Sequence, residues 1–223
     1  MAVELDFAAV LSQWPLLLLG VAWTVGLTAI SASLGVLLGI VCAWVASQGP
    51  RWLRPLVASY VELIRNTPFI VQLFFIFFGL PAAGVRLSPE WASVIAMVIN
   101  LGAYSAEIVR AGIQATPKGH IEAAASLALS RMQSFIFVVL PPSLQRVWPA
   151  LVSQIIIVML GSAVCGQIST PELSFAGNLI QSRNFRAFES YIVITVLYLA
   201  LSMGARLLLN RLGARVFPGA HRG

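Results

Sequence analysis

The stretch from Phe7 to Pro50, FAAVLSQWPLLLLGVAWTVGLTAISASLGVLLGIVCAWVASQGP, contains no charged residue. A helix rises about 1.5 Å per residue and a bilayer's hydrocarbon core is about 30 Å thick, so roughly 20 apolar residues cross it. This run is longer than that. It holds Gly26, Gly35 and Gly39 but no polar turn between its halves. A backbone turn inside lipid would leave N–H and C=O groups unpaired. One long, tilted helix over about 15–46 is therefore expected rather than two short ones.

Further charge-free runs follow at Asn66–Val85, Trp91–Ala106, Val147–Pro171 and Ser190–Ala205. They place four more spans at about 56–80, 90–111, 144–166 and 188–209. The composition agrees: 59% of the residues are hydrophobic and 10% charged, whereas soluble domains have roughly 25% charged residues. A soluble protein is excluded, because so few charges cannot cover a globular surface. The net charge of +6 comes from basic residues scattered singly, with no polar face to carry a nucleic acid. Cys42 and Cys165 lie inside apolar runs and read as packing residues rather than a disulfide. Glu4 and Asp6 precede the first positive charge, Arg51, so no secretory signal peptide, with its basic start, is expected. The fold class is an all-α integral membrane protein with five transmembrane helices, in one transmembrane domain over 1–223.

Basic residues accumulate in the cytoplasmic loops of membrane proteins. Arg51, Arg54, Arg110, Lys118, Arg131, Arg146, Arg206, Arg211, Arg215 and Arg222 fall on one side of a five-span chain; Arg86, Arg183 and Arg186 fall on the other. The N-terminus is thus expected in the periplasm and the C-terminus in the cytoplasm. Splitting the first run would carry Arg51 and Arg54 outside. The outer loop with Glu172, Arg183, Arg186 and Glu189 is expected to dock a partner there.

The longest cytoplasmic connection covers about 112–143. Thr116-Pro117 is a helix start signal, with Thr as cap and Pro at the first position. A short helix over Gly119–Ser130 follows, with Glu122 in its first turn, where the dipole favours a negative charge. Pro141-Pro142 is expected to end the region. The loop reads Glu122-Ala123-Ala124, three residues, Ala128, nine residues, Val138, one residue, Leu140-Pro141. This resembles the EAA loop of ATP-binding-cassette importer permeases, in which a glycine stands at the position of Ala128 and an isoleucine at that of Val138.

Other stretches resemble the histidine/glutamine-type polar amino-acid permeases of that family. They include Arg65-Asn66-Thr67-Pro68, Ala103-Tyr104-Ser105-Ala106-Glu107-Ile108 with Arg110-Ala111-Gly112-Ile113, Pro117-Lys118-Gly119, Pro171-Glu172-Leu173 and Ile180-Gln181-Ser182-Arg183-Asn184-Phe185. The resemblance runs from about residue 15 to residue 215. It implies a multi-pass subunit of a bacterial inner-membrane importer that moves a polar amino acid from periplasm to cytoplasm. It implies a second permease subunit, the same or different, a cytoplasmic ATPase dimer carrying ATP and Mg, and a periplasmic amino-acid-binding protein. Gly119, Glu122, Ala123, Ala124, Ala128, Leu140 and Pro141 would form the ATPase-coupling loop, with its short cytoplasmic coupling helix.

The residues agree with that division of labour. A P-loop ends in Gly-Lys-Ser/Thr because its lysine must reach the phosphates. The only lysine here is Lys118, followed by Gly119, so the chain carries no such ATPase site and no nucleotide of its own. A membrane enzyme would need convergent acids, nucleophiles or metal ligands. Asp6 is the only Asp, and His120 and His221 are far apart, so neither catalytic residues nor a metal site is expected. A self-sufficient secondary transporter or channel is the alternative, but the EAA spacing is unexplained by it and no inverted repeat is seen.

Ionisable residues inside spans are costly and mark functional sites by default. Glu62 and Arg65 are three apart, as are Glu107 and Arg110, and each pair can share a helix face. They read either as a gate or as structural ion pairs. Asn100, Gln72, Thr67, Pro68, Gln154 and Ser162 are candidates for the substrate pathway. The alternative for the polar ones is interhelical hydrogen bonding, and for Pro68 a packing kink. Many relatives carry a charged Lys-Asp-Ser/Thr-Ser-like stretch in the fourth span. Leu160-Gly161-Ser162-Ala163 stands there instead, so an obvious countercharge for a cationic ligand is missing.

Overall fold

The structure is a computed structural model, and residues 5–217 are described. Glu4, His221 and Arg222 lie outside them. The described chain is helical: α1 (Ala8–Leu11), α2 (Trp14–Gln48), α3 (Leu53–Arg65), α4 (Phe69–Phe74), α5 (Pro89–Gln114), α6 (Lys118–Ser126), α7 (Arg131–Gln133), α8 (Leu140–Gly161), α9 (Leu173–Asn184) and α10 (Ala187–Val216). Four stretches are long and apolar enough to cross a membrane: Trp14–Gln48, Pro89–Gln114, Arg131–Ile168 and Ala187–Val216. A fifth crossing arises if α3 and the helical segment from Phe69 are one broken span.

The segment expected as the first span, about 15–46, lies in one unbroken helix, α2, with the short α1 before it in the same run. The stretch expected as a second span over 56–80 does not. The helix stops at Arg65, resumes at Phe69, and bends by 110° between. Pro68 cannot donate an N–H and disfavours a helical residue before it. The freed carbonyls of α3 are taken locally: Asn66 donates through its side chain to Glu62 O at 2.8 Å, and Thr67 Oγ1 donates to Leu63 O at 2.9 Å.

The fourth span also differs from expectation. Helix begins at Arg131, not near residue 144, and Pro141-Pro142 lies inside it. The two missing N–H groups follow a π-helical turn over Ser134–Val139. A wider turn shifts the hydrogen-bond register and relieves the clash of each ring with the preceding turn. The same pairing occurs before Pro81, where a π turn over Phe75–Gly79 runs into a 3₁₀ turn over Leu80–Ala83.

The chain divides into two compact units. One comprises Phe69–Met97, Ile156–Ala205 and the described part of Met1–Ser31. Val10, Leu17, Leu173, Ile180 and Ile194 form its core. The chain leaves the fourth span through a 3₁₀ turn, Ser162–Ile168, and a left-handed Ser169. Thr170 then donates to Pro89 O at 3.1 Å and shares a 2.7 Å hydrogen bond with Ser93.

The other unit comprises Ala32–Pro68, Val98–Ile155 and the described part of Arg206–Gly223. Ala43, Val109 and Leu151 form one cluster there, and Cys42, Val61 and Ala106 another. In this unit α2 and α5 approach at backbone distance. A Cβ added at Gly39 would lie 2.9 Å from both Ala106 N and Ser105 C. A Cβ at Gly26, earlier in the same helix, would meet nothing within 4 Å.

These two glycines give opposite predictions in one helix. Gly39→Ala is expected to cost about 1–3 kcal/mol through overpacking against α5. Gly26→Ala is expected to be neutral or to stabilise by up to about 1 kcal/mol. Thermal melts of the detergent-purified protein compare the two, and equal shifts would contradict the close contact.

Candidate functional site

The loop between α5 and α8 begins with a clamp at its base. Thr116, expected to cap the coupling helix, does not do so: α6 starts at Lys118 after Pro117, with no side-chain cap. The Thr116 hydroxyl instead bonds to Gly112 O at 3.3 Å and to the Ser143 hydroxyl at 3.0 Å. Ser143 Oγ also bonds to Val139 O, and Arg146 donates to Ala115 O. The two ends of the loop are thereby held together, and both are attached to long helices.

The coupling helix is shorter than the expected Gly119–Ser130. It ends after Ser126 because Ala128 is left-handed, with φ of 55°. Leu129 N donates to Ala124 O at 3.2 Å, and Ala128 N donates to Ala125 O at 3.0 Å. These two bonds make a Schellman motif with Ala128 at the left-handed position, where glycine is the usual residue. Ser130 starts the next helix with a capping box: its hydroxyl accepts from Gln133 N, and its own N–H donates to Gln133 Oε1 at 2.9 Å. The Ser130-x-x-Gln133 pattern was legible in the sequence; its place inside the expected helix hid it.

Glu122 and Ala123 are exposed on α6, whereas Ala124 is buried. A Cβ at Gly119 would meet nothing within 4 Å. Ile121 and Leu127 beside Glu122 are exposed apolar residues, at 46% and 74%. A groove of about 350 Å³ runs between this loop and the α2–α3 turn, with Ile121, Ala125 and Leu129 on one side and Ser47, Gln48 and Arg54 on the other. Leu140 packs on the Ala43–Val109–Leu151 cluster, and Pro141 is exposed.

The four candidate charges pair differently from the expectation. Glu107 and Arg110 do bond, with Nε and Nη2 of Arg110 donating to the two carboxylate oxygens at 2.9 and 2.8 Å. Arg65 does not pair with Glu62. Its Nη1 lies 3.4 Å from Glu107 Oε2, and its guanidinium sits 5.7 Å from the Tyr104 ring centroid. Glu107 thus stands between two arginines from different helices. Glu62 is exposed and forms no ion pair among the described residues. All four line one cavity of about 550 Å³. The Arg65–Glu107 contact and Tyr104 were missed because three-residue spacing reports only on pairs within a helix.

The pathway candidates lie in both units. Asn100 and Gln72 are each 8% exposed. Ser162 is buried, with its hydroxyl on Met159 O at 2.6 Å. Gln154 is half-buried. Thr67 and Pro68 form the α3–α4 break, Thr67 half-buried and Pro68 exposed. Among the described residues no group of three or more His, Cys, Asp or Glu is placed to hold a metal ion.

The outer loop corrects another expectation. Glu172 and Glu189 are not free docking charges, since both are buried. Glu172 caps α9, accepting from Phe175 N at 2.7 Å, Ser174 N at 2.8 Å and the Tyr198 hydroxyl at 2.6 Å. Burial pushes its carboxyl above the ordinary range, and these hydrogen bonds oppose that. Glu189 accepts from Asp6 N and pairs with Arg186. Arg183 remains exposed, next to Phe185, which is left-handed and 88% exposed.

The chain as a whole is similar to known proteins. Residues 35–218 match the family described as binding-protein-dependent transport system inner membrane component. The chain belongs to that family. The glutamine transport system permease protein GlnP of Escherichia coli (strain K12) is 34% identical over 217 residues, covering 96% of this chain and 99% of that protein. The L-cystine transport system permease protein TcyB of Bacillus subtilis (strain 168) is 36% identical over 173 residues, covering 78% and 74%. The crystal structure of an amino acid ABC transporter with histidines superposes with a TM-score of 0.84 at 34% identity, covering 95% of this chain and 99% of that one. As a member of this family the chain is the membrane-embedded permease subunit of a transport system in the inner membrane, and it works with partner proteins.

The Schellman geometry gives a prediction for this permease. A non-glycine residue in the left-handed region costs roughly 1–2 kcal/mol. Ala128→Gly is expected to stabilise the loop by about 1 kcal/mol and raise the melting temperature, while Ala128→Val lowers it. Melts of the three proteins in the same detergent check the order.

Proposed function

We propose that this permease imports a polar amino acid from periplasm to cytoplasm, driven by ATP and Mg on a separate cytoplasmic ATPase dimer. A periplasmic amino-acid-binding protein delivers the substrate, and a second permease subunit, the same or different, completes the pore. The names of the relatives support an amino-acid substrate: glutamine and L-cystine appear among them. The N-terminus is periplasmic and the C-terminus cytoplasmic. The α2–α3 turn with Arg54 and the α6–α7 loop with Arg131 line one groove, which supports one shared side for these basic loops.

The observation that carries this reading is the clamped loop. α6 presents Glu122 and Ala123 outward while Thr116–Ser143 holds its base. A helix fixed at both ends transmits a push from the ATPase instead of absorbing it. Gly119, Glu122, Ala123, Ala124, Ala128, Leu140 and Pro141 shape or present that surface. Thr67, Pro68, Gln72, Asn100, Gln154 and Ser162 are assigned to the substrate pathway. Glu62, Arg65, Glu107 and Arg110 are assigned to the gate or its structural ion pairs.

Affinity purification from host membranes tests the coupling role. Wild type is expected to retain a stoichiometric ATPase in mild detergent. Glu122→Arg, which reverses an exposed charge, is expected to lose it with the melting temperature unchanged. A wild type that brings down no ATPase would overturn the ATP-driven reading and favour a self-sufficient transporter.

A further inference from the structure

The groove between the α6–α7 loop and the α2–α3 turn carries a charge that no group of the described chain answers. Arg54 and Arg131 line it, and no carboxylate does. Arg54 donates through Nε to Gly49 O at 3.2 Å, which orients its guanidinium toward the turn and leaves both Nη groups for another acceptor. Arg131 is the first residue of α7. Neither arginine forms an ion pair among the described residues, whereas Arg65, Arg110 and Arg186 each meet a carboxylate. Most N–H donors of the two guanidinium groups in the groove therefore remain for an acceptor from outside the chain.

The level of the groove selects the class of ligand. On α2 the apolar run ends at Ala46, and the next two residues, Ser47 and Gln48, line the groove. On the facing side, Arg131-Met132-Gln133-Ser134 gives way to the apolar residues 135–140, and Arg131, Ser134 and Val139 line the groove. Two helices of membrane length thus change between apolar and polar at one place, which is the level of lipid headgroups. The remaining wall is an apolar ridge of Ile121, Ala125 and Leu129, spaced four apart. Ile121 and Ala125 are exposed. Ala123 and Leu127 fall on the opposite face of that helix turn, so the ridge is separate from the surface that α6 offers outward. A water-soluble anion would leave the ridge uncovered, and an apolar ligand would leave two arginines without a counter-ion. A molecule with a phosphate at one end and an acyl chain at the other answers both walls.

We propose that this groove binds an anionic phospholipid. Arg54 and Arg131 take the phosphate, Ser47, Gln48 and Ser134 offer hydrogen bonds to the rest of the headgroup, and Ile121, Ala125 and Leu129 cover the start of an acyl chain. The lipid joins the α2–α3 turn to the α6–α7 loop, so a bound lipid stabilises the loop against that turn. The site is independent of which substrate the permease carries.

The full-length permease, purified in mild detergent with the partners it retains, tests this. It is titrated with phosphatidylglycerol, phosphatidylcholine and glycerol 3-phosphate, and native mass spectrometry reads the bound fraction. Phosphatidylglycerol is expected to bind at least about tenfold more tightly than either of the others, the effect of a charge-assisted hydrogen bond. The choline cation would meet two arginines, and glycerol 3-phosphate has no chain for the ridge. Arg54→Gln and Arg131→Gln are each expected to weaken phosphatidylglycerol by roughly tenfold and to leave phosphatidylcholine unchanged. Arg51→Gln, in the same turn but outside the groove, is expected to change neither. Ala125→Trp, which fills the groove and removes no charge, is expected to abolish the preference. If Arg51→Gln weakens phosphatidylglycerol as much as Arg54→Gln does, the attraction is to a basic surface in general and the site is overturned. Glycerol 3-phosphate binding as tightly as phosphatidylglycerol would overturn the lipid and leave a soluble phosphate ester in its place. Loss of a co-purified ATPase from Arg54→Gln and Arg131→Gln, with lipid binding unchanged, would overturn the site and assign both arginines to that partner. If the variants fail to fold, the wild-type series decides: equal binding of the two phospholipids overturns the proposal.

Discussion

Backbone amides in the hydrocarbon layer have no water to bond, and that constraint shapes nearly every departure from a straight helix here. Where helix α3 ends, Asn66 and Thr67 side chains take its carbonyls. Ahead of Pro81 and of Pro141-Pro142, the chain widens into a π turn. Each solution is local: the residues that break the helix, or the turn just before them, absorb the missing bond. The breaks therefore survive without a separate loop, and a permease obtains bent elements from a sequence that reads as nearly continuous apolar helix.

The α6–α7 loop follows a different rule. Its shape is set by two hydrogen-bonded devices and a clamp. The Schellman turn at Ala128 stops α6, and the Ser130 box starts α7. Thr116 and Ser143 close the base. The position after the helix cap is left-handed here, the conformation that glycine adopts without strain. Ala128 adopts that conformation at a cost, so the hydrogen bonds of the turn and the packing of buried Ala124 outweigh the strain.

The long apolar helices were legible because charge is so sparse that its gaps nearly delimit them. Helix α2 matches the expected 15–46 segment closely, and α5 and α10 begin within a residue or two of expectation. Breaks were less legible. Proline marks a disturbed hydrogen bond but not whether the chain bends, as at Pro68, or continues, as at Pro141-Pro142. Composition also cannot separate a loop carboxylate that meets solvent from one that caps a helix. Glu172 sits before Leu173-Ser174-Phe175, an acceptable N-cap position by sequence, yet it is buried and also accepts from the Tyr198 hydroxyl, 26 residues away. The ion pairs failed in the same way. Spacing found Glu107–Arg110, within one helix, and missed Arg65–Glu107, which joins two.

The cavity and the groove share their walls, and this makes coupling between them short-range. Ala46 lines the cavity and Ser47 the groove, on consecutive positions of α2. On α3, Arg54 lines the groove while Val57 and Ala58 line the cavity, one turn further on. Leu140, at the end of the coupling loop, packs with Ala43 and Val109, and Ala43 also lines the cavity. A displacement of α6 against residues 47–54 is therefore delivered to the cavity wall through a single helical turn on each of two helices. Close-packed helices pass on such shifts because side chains have little free volume to absorb them. No long relay is required between the exposed face of α6 and the charges around Glu62. Their proximity follows from the α2–α3 turn, which brings the last turn of one helix and the first of the next beside the clamped loop.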